Sequence, residues 1–379
     1  MHSTPGDMRV TSIPGPSFRP LHIPHDLASS EASDFIAMVR VRNAIYRENS
    51  GHDDEAVTPE QMLPHYRPNP YELRKAWVIV VGDEIVGRVG IDLPLEEGSV
   101  VAFWLIEILR AHWGRGIGSA ALVLLEQYAR SHGRTTLQSW ATHPPCDGAT
   151  LTPRTGFGTI PEDHVARFYA RHGYALEQVE RNSAFDMTEP LDQVERLLTQ
   201  SRAAASDYRV LQWDAPTPAD CIEGYAWMKS RMSTDIPAGA LDFDEERWDA
   251  VRITQHDERY TAAGSTLQVT AAQHIRTGEL CAFNELMIPE DRTLASHQED
   301  TLVLKEHRGH KLGTLVKCAG LIEWRARMPH SPRVLTYNAE ENRPMLDINE
   351  AIGFIPIAYV GAWKKVLVGS ADSSGSNDS

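Results

Sequence analysis

The 379-residue chain has few cysteines, few basic residues and no long apolar run, and each shortage excludes a class of protein. Its four cysteines are scattered and form no CxxC pair, which argues against a disulfide framework or a zinc site. Because no run of about 18 apolar residues occurs, we expect no membrane-spanning helix. The N-terminus also lacks the basic-then-apolar pattern of a signal sequence. These absences predict a cytoplasmic protein without a metal.

Basic residues are outnumbered, 37 against 52 acidic residues, which gives a net charge of −15. This balance argues against a nucleic acid or an anionic membrane as a partner. It would suit a small cationic acceptor molecule, although solubility alone also explains an acidic surface.

The most informative stretch is residues 105–122. An apolar, β-rich run over residues 100–109 leads directly into a glycine-rich turn and then a helical pattern. Glycines lack a Cβ atom, so this turn can be tight and can come close to a ligand. Backbone N–H groups at the start of the helix would attract an anion. The pattern predicts a pyrophosphate-binding loop built around Gly114, Gly116 and Gly118.

The sequence argues against a dinucleotide as the source of this pyrophosphate. Gly116, Gly118 and Ala121 satisfy the loose dinucleotide fingerprint, but that fingerprint needs an acidic residue at the end of the next strand. The next predicted strand, residues 135–141, contains no aspartate or glutamate. The loop also follows several predicted strands, whereas a dinucleotide-binding domain usually places it after the first.

A second copy of the pattern occupies residues 301–315. His112 and His307 each begin the same segment: His, any residue, Gly, a basic residue, any residue, Ile or Leu, Gly, and Ser or Thr. The flanking strands, helices and a later Gly-aromatic pair repeat as well, which indicates two copies of one domain. The predicted boundaries are a flexible lead (1–17), a first copy (18–189), a linker helix (190–207), a second copy (208–368) and a disordered tail (369–379).

At these residues the chain resembles the GNAT superfamily of acyl-CoA-dependent N-acyltransferases, in the tandem form of actinobacterial mycothiol-synthase-like members. The family loop is Gln/Arg-x-x-Gly-x-Gly/Ala. The first copy has Trp113 at the Gln/Arg position, and the second has Arg308 there but Lys311 at the middle glycine. The resemblance implies an α/β fold with mixed α+β sheets, made of two consecutive GNAT domains. Each would open in a V between its fourth and fifth strands.

The resemblance also implies acetyl-CoA as co-substrate, no metal, and direct attack by a primary amine on the thioester. In the first copy the implied CoA-binding residues are Ile108, Leu109, Gly114, Arg115, Gly116, Ile117, Gly118 and Ser119. In the second copy they are Val303, Leu304, Arg308, Gly309, His310, Leu312, Gly313 and Thr314, with Asn338 and Asn342 touching the acyl-CoA arm.

The catalytic candidates are a tyrosine and several carboxylates. Tyr169 lies four residues before Gly173, where family members often keep the acid that protonates the departing thiolate. The second copy has Asn349 at that position, which cannot act as an acid. A carboxylate on a central strand would accept the amine proton: Glu285 in the second copy, and Glu107, Asp92 or Glu96 in the first. Each of these side chains has an alternative, as a core aromatic for Tyr169 and as a solvated strand residue for the carboxylates.

The sequence leaves several questions open. The resemblance assigns the chemistry to the second copy, whereas the glycine loop and Tyr169 favour the first. The alternative function is a non-catalytic acyl-CoA-binding or sensing protein. By the resemblance, the early helical region, including residues 31–48, lines the acceptor side. The identity of the amine, the acyl chain and the oligomeric state are not indicated.

Overall fold

The computed structural model describes residues 15–145 and 147–367. The predicted disordered tail, and most of the predicted flexible lead, therefore lie outside the described residues. The first half consists of β1 (Ser17–Pro20), α1 (Ser33–Ser50), α2 (Pro59–Tyr66), β2 (Glu72–Val81), β3 (Glu84–Pro94), β4 (Val101–Ile108), α3 (Ile117–Ser131), β5 (Thr136–His143), β6 (Thr150–Leu151), β7 (Ile160–Pro161), α4 (His164–Arg171) and β8 (Ala175–Asp186).

The second half repeats this order after one additional helix, except that its described residues include no counterpart of β6 and β7. It consists of α5 (Asp192–Ala204), β9 (Tyr208–Asp214), α6 (Ile222–Asp235), α7 (Ala250–Ala262), β10 (Thr266–His274), β11 (Leu280–Ile288), β12 (Ser296–Val303), α8 (Leu312–Arg327), β13 (Arg333–Ala339), α9 (Arg343–Ile352) and β14 (Ile355–Val366). Helix α5, which the sequence predicts as a linker, buries Val194 and Leu198 in the core of the second half.

Twelve strands form one mixed sheet in the order β1-β2-β3-β4-β5-β14-β8-β13-β12-β11-β10-β9, and β6 pairs with β7 separately. The predicted mixed α/β fold is confirmed.

The last strands of the two halves are exchanged at the centre of this sheet. Strand β14 of the second half lies between β5 and β8, and β8 of the first half lies between β14 and β13. Both strands run antiparallel to their neighbours. Each half therefore completes the sheet of the other, and Trp363 and Leu367 from the end of the chain pack in the core of the first half.

The fourth and fifth strands of each half separate into a V. Strands β4 and β5 are parallel and paired at only three positions, from Val101 and Thr136 to Phe103 and Gln138. Strands β12 and β13 show the same three-position pairing. Beyond these pairs the strands diverge, so backbone groups at the carboxyl ends of β4 and β12 are left without a partner strand on that side.

Two helices of the first half, α2 and α4, begin at side-chain caps. Thr58 and Gln61 form a capping box at the start of α2, and the Asp163 side chain accepts a hydrogen bond from Ala166 N at the start of α4. No helix within the described residues combines the length and apolar character needed to cross a membrane.

Candidate active site

The glycine loop of the first half forms a tight turn whose outer surface is open. Gly114 and Gly116 have φ of +73° and +78°, and Gly116 immediately precedes α3. A Cβ atom at either glycine would meet no atom within 4 Å, so the space in front of the loop is open. Trp113 fixes the loop from behind: its Nε1 donates to Ile108 O at 2.8 Å, and its ring stacks on His164 with centroids 4.9 Å apart.

The loop of the second half has the same path with a different residue at its critical position. Lys311, the counterpart of Gly116, has φ of +55°, and no other non-glycine residue within the described ranges has a positive φ. An L-residue in this conformation costs roughly 1–2 kcal/mol. Arg308 bonds to backbone oxygens, with Nε 3.3 Å from Val303 O and Nη2 3.4 Å from Asp235 O.

The later glycine of each loop has a packing role. A Cβ atom on Gly313 would lie 2.9 Å from Ile348 Cδ1, and one on Gly118 would lie 3.2 Å from Phe168 Cε2. The lack of a Cβ atom therefore lets α3 approach α4 in the first half and α8 approach α9 in the second half. Ser119, one residue further, has its hydroxyl 2.9 Å from His172 Nε2.

The remaining predicted CoA-binding residues lie on or beside the loops. Leu304 and Leu312 are buried, and Ile117 is buried at the first turn of α3. The exposed ones are Arg115, Gly309 and His310. Those of intermediate exposure are Ile108, Leu109, Val303, Thr314, Asn338 and Asn342.

A cavity of about 380 Å³ passes through the V of the first half. Its lining comes from both faces of the sheet and from both halves of the chain. On the loop side it includes Gly114, Gly116, Gly118, Ser119, Phe168 and Tyr169. On the opposite side it includes Ile45, Tyr46, Glu55, Glu107, Trp140, Asn182 and, from the second half, Tyr337, Ile357 and Ala358.

Tyr169 is one of the residues that line this cavity. Its hydroxyl is 2.8 Å from Ser139 Oγ on β5, and its ring stacks on Trp363 with centroids 4.8 Å apart. Burial raises the pKa of Tyr169 well above its usual range, so the hydroxyl keeps its proton at neutral pH. The structure thus places a protonated, oriented phenol beside the diverging strands.

Glu107 reaches the cavity from β4 as part of an ion pair. Both of its carboxylate oxygens accept hydrogen bonds from Arg88, whose Nη1 also donates to Tyr66 OH at 2.9 Å. The carboxylate raises the pKa of Arg88 far above its usual range despite burial. Its charge is also the main reason that the pKa of Tyr46 is raised to about 12.

Three residues on the acceptor side of the cavity were not predicted from the sequence. The Tyr337 hydroxyl donates to Glu55 Oε1 at 2.8 Å and accepts from Asn182 Nδ2 at 2.9 Å. These residues come from the segment between α1 and α2, from β8 and from β13 of the second half. No spacing within one copy connects them, because the exchanged strands alone bring them together.

The other two carboxylates predicted as catalytic candidates in the first half, Asp92 and Glu96, form ion pairs outside the cavity lining. Asp92 accepts two hydrogen bonds from Arg74, at 2.6 and 3.0 Å, and Glu96 lies 3.4 Å from Arg252 Nη1. Their placement gives them a structural role between strands and between the two halves.

In the second half, polar side chains at the corresponding opening are bonded to one another. Asn349 Nδ2 donates to Asn338 Oδ1 at 2.6 Å, and Lys317 Nζ donates to Asn349 Oδ1 at 2.9 Å. Lys317 is fully buried, and burial lowers its pKa to about 7. Asn338, which the resemblance assigns to the acyl-CoA arm, is thus engaged in a chain of hydrogen bonds that links β13, α9 and α8.

Glu285 is buried in a second network of the same half. Its side chain is 1% exposed and accepts hydrogen bonds from the Tyr225 hydroxyl and from Lys229 Nζ, the latter at 3.1 Å. Lys229 also pairs with Asp300. Burial raises the pKa of Glu285, and the charge of Lys229 opposes this rise. Glu285 is thus buried and already engaged by Tyr225 and Lys229.

Comparison with known proteins agrees with the geometry. Residues 38–157 match the sequence model of the acetyltransferase (GNAT) family; the match begins within α1, includes the glycine loop and β5, and ends between β6 and β7. No curated protein matches the chain. The mycothiol-synthase-like resemblance therefore remains a prediction.

Solved structures extend the likeness to the whole chain. A tandem GNAT protein from the clavulanic acid biosynthesis pathway, determined without AcCoA, is 23% identical, with a TM-score of 0.70 over 94% of this chain and 100% of that one. A GCN5-related N-acetyltransferase from Sphaerobacter thermophilus is 14% identical, with a TM-score of 0.61 over 96% of this chain and 100% of that one. A GCN5-related glucosamine N-acetyltransferase region of a fungal multi-domain GH3 beta-N-acetylglucosaminidase is 12% identical, with a TM-score of 0.57 over 95% of this chain and 39% of that one. The chain therefore has a tandem GNAT fold.

Proposed function

We propose that the protein is an acetyl-CoA-dependent N-acetyltransferase whose working site is the cavity of the first half. The acceptor is a primary amine on a small cationic molecule. One observation carries the proposal: a single cavity joins the open glycine loop, through the V, to a face bearing Glu55 and Glu107.

The donor side of this cavity suits an acyl-CoA. The N–H groups at the start of α3 and the open space before Gly114 and Gly116 would receive the pyrophosphate. The acyl arm would then run into the V, where unpaired backbone N–H groups of β4 could hold the thioester carbonyl. Those groups would stabilise the negative charge that grows on this oxygen during attack.

The acceptor side suits a cationic amine. Two carboxylates, Glu55 and Glu107, line it together with the aromatic rings of Tyr46, Trp140 and Tyr337. Carboxylates attract an ammonium group, and aromatic faces add a cation–π attraction within about 6 Å.

The reaction would then proceed in one direct transfer. The neutral amine attacks the thioester carbonyl, the C–N bond forms and the C–S bond breaks. Glu55 takes the proton from the amine, directly or through a water, because Glu107 is already committed to Arg88. Tyr169 donates its proton to the departing thiolate, and the alcohol of Ser139 keeps the phenol oriented.

A calorimetric titration of acetyl-CoA into three proteins tests the donor site. Wild type is compared with Gly116→Glu and with Lys311→Glu, which place the same negative side chain at corresponding positions of the two loops. We expect one binding site in wild type, lost in Gly116→Glu and retained in Lys311→Glu.

Other outcomes have distinct meanings. No binding in wild type, or loss of the site only in Lys311→Glu, would contradict a donor site in the first half. Binding as expected, followed by no release of free CoA thiol with any of a panel of small amines, would favour the non-catalytic acyl-CoA-binding function.

A further inference from the structure

A group of potential metal ligands lies beside the second glycine loop, away from the proposed acetyl-transfer cavity. Glu279 and Cys281 stand two residues apart at the start of β11, and His307 ends the short 3-10 turn at Lys305–His307. One ligand atom from each residue lies within 4.8 Å of the other two. His307 Nε2 is 3.5 Å from Glu279 Oε2.

The 3.5 Å between His307 Nε2 and Glu279 Oε2 suits two ligands of a tetrahedral transition-metal ion. With metal–ligand bonds of about 2.0–2.3 Å, ligand atoms of a tetrahedral zinc site lie roughly 3.3–3.8 Å apart. Small side-chain rotations would bring the thiol, imidazole and carboxylate to such a centre. The mixed S, N and O donors favour zinc or a similar borderline ion over magnesium or calcium, which prefer oxygen ligands.

The histidine is already oriented for this role. His307 Nδ1 is 2.9 Å from the Tyr208 hydroxyl, which leaves Nε2, 3.5 Å from Glu279 Oε2, as the nitrogen available to an ion. A hydrogen bond to the non-coordinating nitrogen is the usual way in which proteins orient a ligand imidazole. Access is open on one side, because the Glu279 side chain is 48% exposed whereas Cys281 is buried.

The first half repeats the geometry with one decisive change. The corresponding positions are occupied by Glu84, Val86 and His112. The backbone hydrogen bonds also correspond: Leu109 N donates to Val86 O at 3.0 Å, and Leu304 N donates to Cys281 O at 2.9 Å. Valine offers no ligand atom. The first half therefore provides an internal control in which the backbone is the same and the thiol is missing.

We propose that Glu279, Cys281 and His307 form a binding site for a zinc-like divalent cation at the base of the second loop. Binding releases the Cys281 proton to solvent, and a water molecule completes the tetrahedron. His307 ends the turn that leads into the second glycine loop. A bound ion would therefore hold this loop in one conformation. The corresponding loop of the first half is open to a ligand. Sequence spacing gave no sign of the site, since its ligands come from two separate segments.

Cobalt(II) and zinc(II) titrations of the full, reduced chain test this proposal. Thiolate ligation of Co²⁺ produces a near-ultraviolet charge-transfer band, which excess Zn²⁺ should abolish. We expect this band in wild type and in His112→Gln, and its loss in Cys281→Val, which installs the residue found at the corresponding position of the first half. The affinity for Zn²⁺ should fall at least about tenfold in Cys281→Val.

A second variant distinguishes loss of a ligand from misfolding of Cys281→Val. Glu279→Gln changes a half-exposed side chain, so it should keep the circular dichroism spectrum and still weaken Zn²⁺ binding. The proposal is overturned if wild type gives no thiolate band, if the band persists in Cys281→Val, or if Glu279→Gln binds Zn²⁺ as tightly as wild type.

Discussion

At the scale of single residues, Tyr169 tests the acid step of the proposed reaction. Tyr169→Phe keeps the ring on Trp363 but removes the hydroxyl that contacts Ser139. We expect kcat to fall about 100-fold, the lower end of general-acid effects, with little change in KM for acetyl-CoA. The free energy of unfolding should fall by only about 1 kcal/mol for the lost hydrogen bond.

The matched control is Tyr128→Phe, on the helix that follows the glycine loop but outside the cavity lining. Its kcat should equal that of wild type. Unchanged kcat in Tyr169→Phe would assign protonation of the thiolate to another group and leave this tyrosine as a core aromatic.

Glu55 tests the acceptor side at the same scale. Glu55→Gln removes a negative charge while keeping an oxygen for the Tyr337 hydroxyl. We expect kcat/KM for a cationic amine to fall at least tenfold, because the ammonium attraction and the base are both lost, whereas acetyl-CoA affinity should not change. Steady-state kinetics beside calorimetry would separate the two effects.

Tyr337→Phe provides the comparison, since it leaves the carboxylate but removes its hydrogen bond from the second half. A smaller loss of kcat/KM is expected. Equal activity of Glu55→Gln and wild type toward both cationic and neutral amines would argue against the proposed recognition.

At the scale of secondary-structure elements, the buried Lys317 makes the stability contributed by α8 depend on pH. Its pKa is about 7 in the folded protein, against about 10.4 in an unfolded chain. Between these values the unfolded chain binds more protons, so the contribution of Lys317 to stability rises with pH across this window. Below pH 7 both states are protonated, and the penalty of the buried charge is constant.

Urea unfolding of wild type and Lys317→Met from pH 7 to pH 10 measures this contribution. The free energy of unfolding of wild type should rise relative to the variant, by at most about 1.4 kcal/mol per pH unit. Lys305→Met, whose parent side chain is 52% exposed, should give a curve parallel to wild type. A parallel curve for Lys317→Met as well would show that this lysine is not neutralised in the folded state.

At the scale of the whole molecule, the exchanged strands make the two halves depend on each other. Trp363 belongs to β14 of the second half, yet it is 1% exposed in the core of the first. We expect Trp363→Ala to cost about 3–5 kcal/mol and to weaken acetyl-CoA binding by the first half. Both halves should still unfold in one calorimetric transition, at a lower temperature.

Trp227→Ala, at a side chain that is 55% exposed, should change the free energy of unfolding by less than about 0.5 kcal/mol. Two transitions, with only one of them shifted by Trp363→Ala, would show that the halves unfold independently in spite of the shared sheet.

Local patterns were sufficient for much of the fold. Glycine spacing predicted the turn at Gly114 and Gly116, apolar periodicity predicted the helix after it, and the repeat predicted the same order of elements twice. The mixed fold that these patterns imply is confirmed. The roles assigned to Tyr169, Glu107 and Glu285 remain predictions, although the structure places the first two at one cavity and buries the third.

The sequence by itself determined what depends on neighbours in the chain: turns that need glycine, caps, amphipathic helices and the duplicated loop. Only the tertiary structure decided which strands meet, because pairing between β14 and β5 joins residues more than 200 positions apart. It also brings Trp363 to Tyr169, and the pairing of β13 with β8 places Tyr337 where it reaches Glu55. An apolar strand pattern specifies a buried strand but not its partner, and so the cavity shared by the two halves could be found only in the folded molecule.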